Sequence, residues 1–172
     1  MTGRAVRAPA SGARLVIWFD GASRGNPGPA AYGVHASSGV DRCEAIGLAT
    51  NNVAEWRGFL AALDAALASG AEDVEIRADS QLVLKQFLGE YRMKAPHLAP
   101  FLAEARAKAK GIPRLRVLHV PRAENKHADA LANKALDAPA ASAAPNAMPR
   151  QAVRAAERAP FQPGLFGPKP AR

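Results

Sequence analysis

Short apolar runs separated by polar, glycine-rich segments dominate the middle of the chain and predict β-strands. Residues 14–20 and 74–78 are two such runs, and residues 115–120 form a third directly before a proline. Residues 30–37 and 42–48 flank the turn sequence Ser-Gly-Val-Asp, a pattern that predicts a β-hairpin. The pattern therefore predicts five strands, two of them joined as a hairpin.

Apolar residues at helical spacing predict a first helix over residues 52–69. Four of them recur at intervals of four, three and four and form one apolar face: Trp56, Leu60, Leu63 and Leu67. Gly70 is expected to end this helix. Three further helices are predicted, two of them ended by a glycine: residues 80–88, 97–110 and 125–136.

The order of these elements predicts an α/β fold with a mixed sheet. The hairpin requires antiparallel neighbours, whereas the strand–helix–strand crossovers favour parallel ones. A mixed five-stranded sheet flanked by helices satisfies both requirements.

Length and composition divide the 172 residues into one domain and two arms. Residues 14–137 are expected to fold, residues 1–13 to form a flexible arm, and the Pro/Ala-rich residues 138–172 to form a disordered tail. The single cysteine, Cys43, excludes an intrachain disulfide and a cysteine-based zinc site, and it fits a reducing, cytoplasmic setting. The first apolar run is too short for a signal peptide or a membrane span.

The net charge of +8 indicates a polyanionic partner, but most of the excess lies in the arms. Residues 14–137 hold 16 basic and 14 acidic residues and are nearly balanced. A nucleic-acid groove in the domain must therefore come from local clustering of charge.

Four acidic residues are expected to meet at one edge of the sheet. Asp20 and Asp79 each close a predicted strand, and ligands gather at the carboxyl ends of strands in α/β sheets. Glu55 and Asp129 lie near the starts of two helices and can join them. Four carboxylates tolerate one another only with cations between them, and their hard oxygen ligands suit two Mg²⁺ or Mn²⁺ ions.

Each acid taken alone also has an ordinary structural explanation. Glu55 could be the reciprocal residue of a capping box with Asn52, and Asp79 could cap the helix that follows it. Asp129 could be a solvated acid favoured by the helix dipole. Asp20 is the hardest to explain in this way, because an acid after a buried apolar run is costly unless it is paired or metal-bound.

The segments around the four acids resemble, in the family's order, four sequence blocks of type 1 ribonucleases H: residues 19–29, 50–55, 78–83 and 125–133. This resemblance implies a ribonuclease H-like fold and an endonuclease that hydrolyses the RNA strand of RNA–DNA hybrids to 5′-phosphate and 3′-hydroxyl ends with two metal ions. It assigns metal binding and catalysis to Asp20, Glu55, Asp79 and Asp129. It assigns substrate contacts to six other residues: Gly21, Asn26, Thr50, Asn51, Gln81 and Asn125.

The stretch before the last acid departs from the best-known family members, which carry a glycine-rich loop with a histidine. Residues 119–124 instead resemble a short-loop subgroup of archaea and some bacteria, which implies that Arg122 acts near the leaving group in place of the histidine. Some members of that subgroup also cut double-stranded RNA. His119 is expected to be buried and structural, and His127 to lie on the surface.

The C-terminal tail contains a sequence, residues 162–166, that resembles the peptide by which bacterial replication proteins dock on the sliding clamp. Gln162, Leu165 and Phe166 are its matching residues. An apolar pair on a flexible segment can fill a pocket on a partner. A chance match in a tail of biased composition is the alternative.

Two other functions compete with the endonuclease. Another nuclease or strand-transfer enzyme on the same fold would also use clustered acids, but the blocks at residues 50–55 and 78–83 argue against it. A non-catalytic hybrid-binding or clamp-tethered module is disfavoured because all four acids are present.

Overall fold

The computed structural model describes residues 12–138. Most of the predicted N-terminal arm and nearly all of the predicted tail, including residues 162–166, lie outside the described residues.

A mixed five-stranded sheet forms the centre of the fold, as predicted. Its strands are β1 (Leu15–Ser23), β2 (Gly28–Ala36), β3 (Asp41–Ala49), β4 (Asp73–Ala78) and β5 (Arg114–His119). The order across the sheet is β3-β2-β1-β4-β5. The first three strands are antiparallel neighbours, and β1, β4 and β5 run parallel to one another.

Four helices cover the sheet: α1 (Asn51–Ser69), α2 (Gln81–Leu88), α3 (Ala99–Ala109) and α4 (Lys126–Asp137). Two 3₁₀ turns, Pro96–Leu98 and Arg122–Glu124, precede α3 and α4. Helix α1 packs on β1 and β2 and contacts α2 and α3, whereas α4 packs on β1, β2 and β3. Gly70 ends α1 in a left-handed conformation (φ 68°), as predicted. In the described part of the chain, the helices are too short or too polar to cross a membrane.

The core lies between α1 and the sheet. Phe19 of β1 and Phe59 of α1 are fully buried, with ring centroids 5.4 Å apart, and Phe87 of α2 extends this aromatic cluster. The predicted apolar face of α1 is correct except for Leu67, which is 39% exposed. Residues outside this face, such as Ala62, are also buried, because α1 packs on the sheet through the side that carries Gly58 and contacts α3 as well.

The first strand is longer than predicted, and the expectation that Asp20 ends it was wrong. The antiparallel ladder with β2 continues to the pair Ser23–Ala30. The parallel ladder with β4 ends earlier, at the pair Trp18–Arg77. Asp20 is therefore inside β1 but beyond the part of the strand that pairs with β4. It still lies at the carboxyl end of the parallel pair, where ligands gather.

Two glycines let helices pack directly on strand backbone. A Cβ atom on Gly21 would lie 2.2 Å from the backbone nitrogen of Glu55, and one on Gly33 would lie 2.3 Å from the carbonyl oxygen of Ala128. Gly21 follows Asp20 and faces the other side of the sheet, whereas Gly33 pairs with Asp20 and faces the same side. The starts of α1 and α4 are thus held against opposite faces beside Asp20.

Candidate active site

Asp20 is at the centre of the predicted acidic cluster. It is 9% exposed, and its carboxyl lies close to that of Asp129. Burial raises the pKa of the Asp20 carboxyl to about 8, and the negative charges of three neighbours act in the same direction: Asp79, Asp129 and Glu55. The structure therefore brings together all four acids singled out in the sequence.

Glu55 comes to the cluster from the second turn of α1, which begins at Asn51. The capping box with Asn52 was wrong, because Thr50 caps this helix by accepting a hydrogen bond from the backbone nitrogen of Val53 at 3.3 Å. The Glu55 carboxylate instead accepts bonds from Asn51 Nδ2 at 3.1 Å and from Ser80 Oγ at 2.8 Å. Burial raises the pKa of Glu55. Both oxygens are thus oriented by donors at the strand–helix junctions.

Asp79 follows β4 and is held by Asn125. The Nδ2 group of Asn125 donates to Asp79 Oδ1 at 2.9 Å and to the carbonyl oxygen of Phe19 at 2.9 Å. Asn125 is 1% exposed, and in the described part of the chain its buried Oδ1 has no hydrogen-bond partner. This position favours a role in joining the carboxyl ends of β1 and β4. The alternative that Asp79 caps α2 was wrong, since Ser80 occupies the cap position.

Asp129 lies in the first turn of α4, next to Arg122. Its Oδ1 accepts a hydrogen bond from Arg122 Nη2 at 3.0 Å, and the arginine side chain is 78% exposed. The expectation that His119 is buried was wrong, because β5 is an edge strand and its last residue is exposed to solvent. His127 lies on the surface, as expected.

The predicted substrate-contact residues divide into an exposed group and a buried group. Asn26 and Gln81 are exposed, and Asn26 Oδ1 accepts a hydrogen bond from the backbone nitrogen of Asn51 at 3.1 Å. Thr50 and Gly21 are buried and shape the start of α1. Asn125 is buried as well, and Asn51 is half-buried. Among the six predicted contact residues, Asn26, Asn51 and Gln81 therefore have side chains that a ligand can reach.

The chemistry of the donor set fits hard divalent cations. Carboxylate oxygens at the meeting point of β1, β4, α1 and α4 are the ligands that Mg²⁺ and Mn²⁺ prefer. Burial first, and then the like charges of its neighbours, raise the pKa of Asp20 when no cation balances them. Among the described residues, the Arg122 guanidinium forms an ion pair with Asp129.

Two contributors to the site were not singled out from the sequence. Ser80 is 8% exposed and orients Glu55, and its signal was a hydroxyl residue directly after the acid that ends β4. Gly33 lets α4 approach β2, but a lone glycine within a predicted strand does not reveal which helix will pack on it.

Comparison with known proteins places this geometry in one family. A family described as reverse transcriptase-like matches residues 19–135. A ribonuclease HI of Halobacterium salinarum is 48% identical over 138 residues, covering 77% of this chain and 69% of that protein. A ribonuclease H1 called LC11, solved in complex with an RNA/DNA hybrid, is 38% identical with a TM-score of 0.66, covering 72% of this chain and 96% of the other.

Another relative is considerably longer. A bifunctional protein of Mycobacterium tuberculosis is 44% identical over 160 residues, which cover 90% of this chain. The chain spans only 43% of the length of that protein.

Substitution of the buried Asp20 provides a test of the acidic cluster. We expect Asp20→Asn to raise the Tm of the chelator-treated protein by roughly 3–8 °C, because Asp20 must either bury a repelled charge or take up a proton on folding, at a cost of about 1–2 kcal/mol. The same change should abolish the rise in Tm that Mg²⁺ gives the unsubstituted protein. Differential scanning calorimetry with and without Mg²⁺ measures both effects.

The control for this measurement is Asp137→Asn, which removes an exposed acid from the end of α4. It should leave the Mg²⁺-dependent rise in Tm intact. If Asp20→Asn keeps the full Mg²⁺ effect, the acidic cluster does not bind the ion.

Proposed function

The chain belongs to the type 1 ribonuclease H family, and from this membership we propose that it is an endonuclease that hydrolyses the RNA strand of RNA–DNA hybrids. The products are expected to carry 5′-phosphate and 3′-hydroxyl ends. The observation that carries the proposal is the convergence of Glu55, Asp79 and Asp129 on the buried Asp20.

The four acids are the proposed ligands of two Mg²⁺ or Mn²⁺ ions. When bound, such ions activate a water molecule and stabilise the leaving oxygen in phosphodiester hydrolysis. The protein's own contribution is to hold the carboxylates in place. Asn51 and Ser80 orient Glu55, and Asn125 orients Asp79. Preorganised ligands lower the cost of assembling the transition state.

Recognition of the hybrid is assigned to small polar groups beside the acids. The 2′-hydroxyls of an RNA strand face a wide, shallow minor groove, where short donors and acceptors can reach them. Asn26, Asn51 and Gln81 are the accessible side chains of this kind, and the bond from Asn51 to Asn26 fixes the loop to the start of α1. The LC11 relative was solved with an RNA/DNA hybrid, which supports the same substrate class.

The proposed activity is tested with a labelled RNA–DNA hybrid in Mg²⁺, in Mn²⁺ and in chelator. We expect metal-dependent cleavage of the RNA strand alone, and a loss of rate of more than about 100-fold in Asp79→Asn, because one metal ligand is lost. Asp137→Asn makes the same change in charge outside the cluster and should retain the rate. Cleavage in chelator, or full activity in Asp79→Asn, contradicts the mechanism.

The same assay, with double-stranded RNA in place of the hybrid, tests whether the protein cuts a second substrate. The short loop at residues 119–124 supports cleavage of this second substrate, in keeping with the resemblance to the short-loop subgroup. Double-stranded DNA is the control that should not be cut, since it lacks the 2′-hydroxyls on which recognition depends.

Arg122 is the proposed residue that assists departure of the leaving group. It carries a fixed positive charge and contacts Asp129, so it lies at the edge of the acidic cluster. Its side chain is exposed and is free to turn toward a substrate phosphate. Stabilisation of developing negative charge by such a donor contributes mainly to the chemical step.

Substitution of Arg122 tests this role. We expect Arg122→Ala to lower kcat on the order of 100-fold with little change in KM, because the interaction forms mainly in the transition state. Arg122→Lys should restore part of the rate. Arg116→Ala removes an exposed arginine from β5 and serves as the control. An unchanged kcat in Arg122→Ala rules out the proposed role.

The C-terminal tail is proposed to dock on the bacterial sliding clamp through Gln162, Leu165 and Phe166. Five basic residues and one acid in residues 138–172 would add salt-dependent attraction to nucleic acid. The proposed setting is the cytoplasm, where the single cysteine stays reduced.

A synthetic peptide covering residues 158–170 tests the docking. We expect it to bind the purified clamp in a fluorescence polarisation titration, and the double substitution Leu165→Ala with Phe166→Ala to abolish binding, since these side chains would fill the pocket. A peptide with Arg158→Ala keeps the motif and controls for charge. Absence of binding at high micromolar concentration rejects the proposal.

A further inference from the structure

A second cluster of metal-ligating side chains lies outside the acidic site. His35 near the end of β2, Asp41 at the start of β3 and His127 in the first turn of α4 place their ligand atoms within 4.8 Å of one another. We propose that these three residues bind a transition-metal ion such as Zn²⁺, separate from the ions at the four acids.

The geometry of the cluster is already close to that of a metal site. Asp41 Oδ1 is 2.6 Å from His35 Nδ1, and Asp41 Oδ2 is 3.0 Å from His127 Nε2. Two ligand atoms bonded to one tetrahedral Zn²⁺ are about 3.4 Å apart, given bonds of roughly 2.1 Å. Small side-chain rotations therefore suffice to place an ion between the two rings and the carboxylate.

The surroundings of His35 restrict the orientation of its ring. Trp18, His35 and Asp41 are consecutive partners across β1, β2 and β3 and thus form one row on the α4 face. The Trp18 ring stacks on the His35 ring with centroids 5.4 Å apart. The centroid of the His127 ring lies 4.0 Å from that of the His35 ring. Aromatic contacts of this kind hold an imidazole ligand in place before the ion arrives.

The two sites differ in the metals that they select. Imidazole nitrogens favour borderline ions such as Zn²⁺, Co²⁺ and Ni²⁺, whereas the all-carboxylate cluster favours Mg²⁺ and Mn²⁺. His127 and Asp129 are two positions apart on α4, so they project about 160° apart around the helix axis. One turn of α4 can therefore serve both sites without sharing a ligand.

An ion bound here would join the β2–β3 hairpin to the start of α4. Two of the ligands come from β2 and β3, which are paired in the sheet, and the third comes from α4, which packs on these strands and also carries Asp129. Since only the folded chain brings the ligands together, the ion should stabilise the folded state.

The test uses the full chain with Cys43→Ser, so that the exposed thiol does not contribute, and with saturating Mg²⁺ at the acidic site. Titration with Co²⁺ is followed by its visible ligand-field absorption. We expect one equivalent to bind, Zn²⁺ to displace it, and His35→Asn and His127→Asn each to weaken binding by at least about 10-fold. Zn²⁺ should also raise the Tm of the parent but not that of His127→Asn.

Two matched variants separate this site from other ligands. His119→Asn removes an exposed histidine at the end of β5, and Asp79→Asn removes an acid of the other cluster; both should keep the Co²⁺ absorption. The inference is overturned if the parent binds no Co²⁺, if both His35→Asn and His127→Asn bind it as tightly as the parent, or if only Asp79→Asn loses it. Metal-free unfolding curves show whether each variant is folded.

Discussion

Direct contact between helix backbone and strand backbone at Gly21 and Gly33 is the constraint on which the site depends. A side chain at either position would overlap main-chain atoms of α1 or α4, and such overlap can be relieved only by moving a whole helix. Because the two glycines flank Asp20 on opposite faces, the close approach brings Glu55 from one side and Asp129 from the other. The positions of the carboxylates are therefore set by packing rather than by attraction among them.

Packing must also offset the repulsion that this placement creates. Hydrogen bonds reduce the repulsion among the carboxylates in part. Amide and hydroxyl groups donate to Glu55 and Asp79, and the guanidinium of Arg122 pairs with Asp129. Asp20 instead faces other carboxyls, and burial together with their charges raises its pKa to about 8. The protein thus concentrates unfavourable electrostatics at one buried residue, an arrangement typical of sites that acquire their balancing charge from a ligand.

The sheet, the order of its elements and the four acids were predictable because each leaves a local trace in the sequence: an apolar run, a helical period, or an acid between them. The remainder depends on partners distant in sequence. The extension of β1 to Ser23 depends on pairing with β2, and the exposure of Leu67 and His119 depends on which surfaces other elements cover. Asn125 resembles an ordinary residue at a helix start, and only the structure shows that it is buried against Phe19 and Asp79.

The bond from Asn125 to the carbonyl of Phe19 joins residues 106 positions apart, and α4 is the last helix in the described chain. During synthesis on the ribosome, the β1–β3 hairpins emerge first, but the face that α4 covers stays open until the rest of the domain has been made. The acidic cluster lacks its fourth carboxylate for the same period. A nascent or truncated chain therefore has no complete cluster, so the proposed nuclease activity requires that folding be complete.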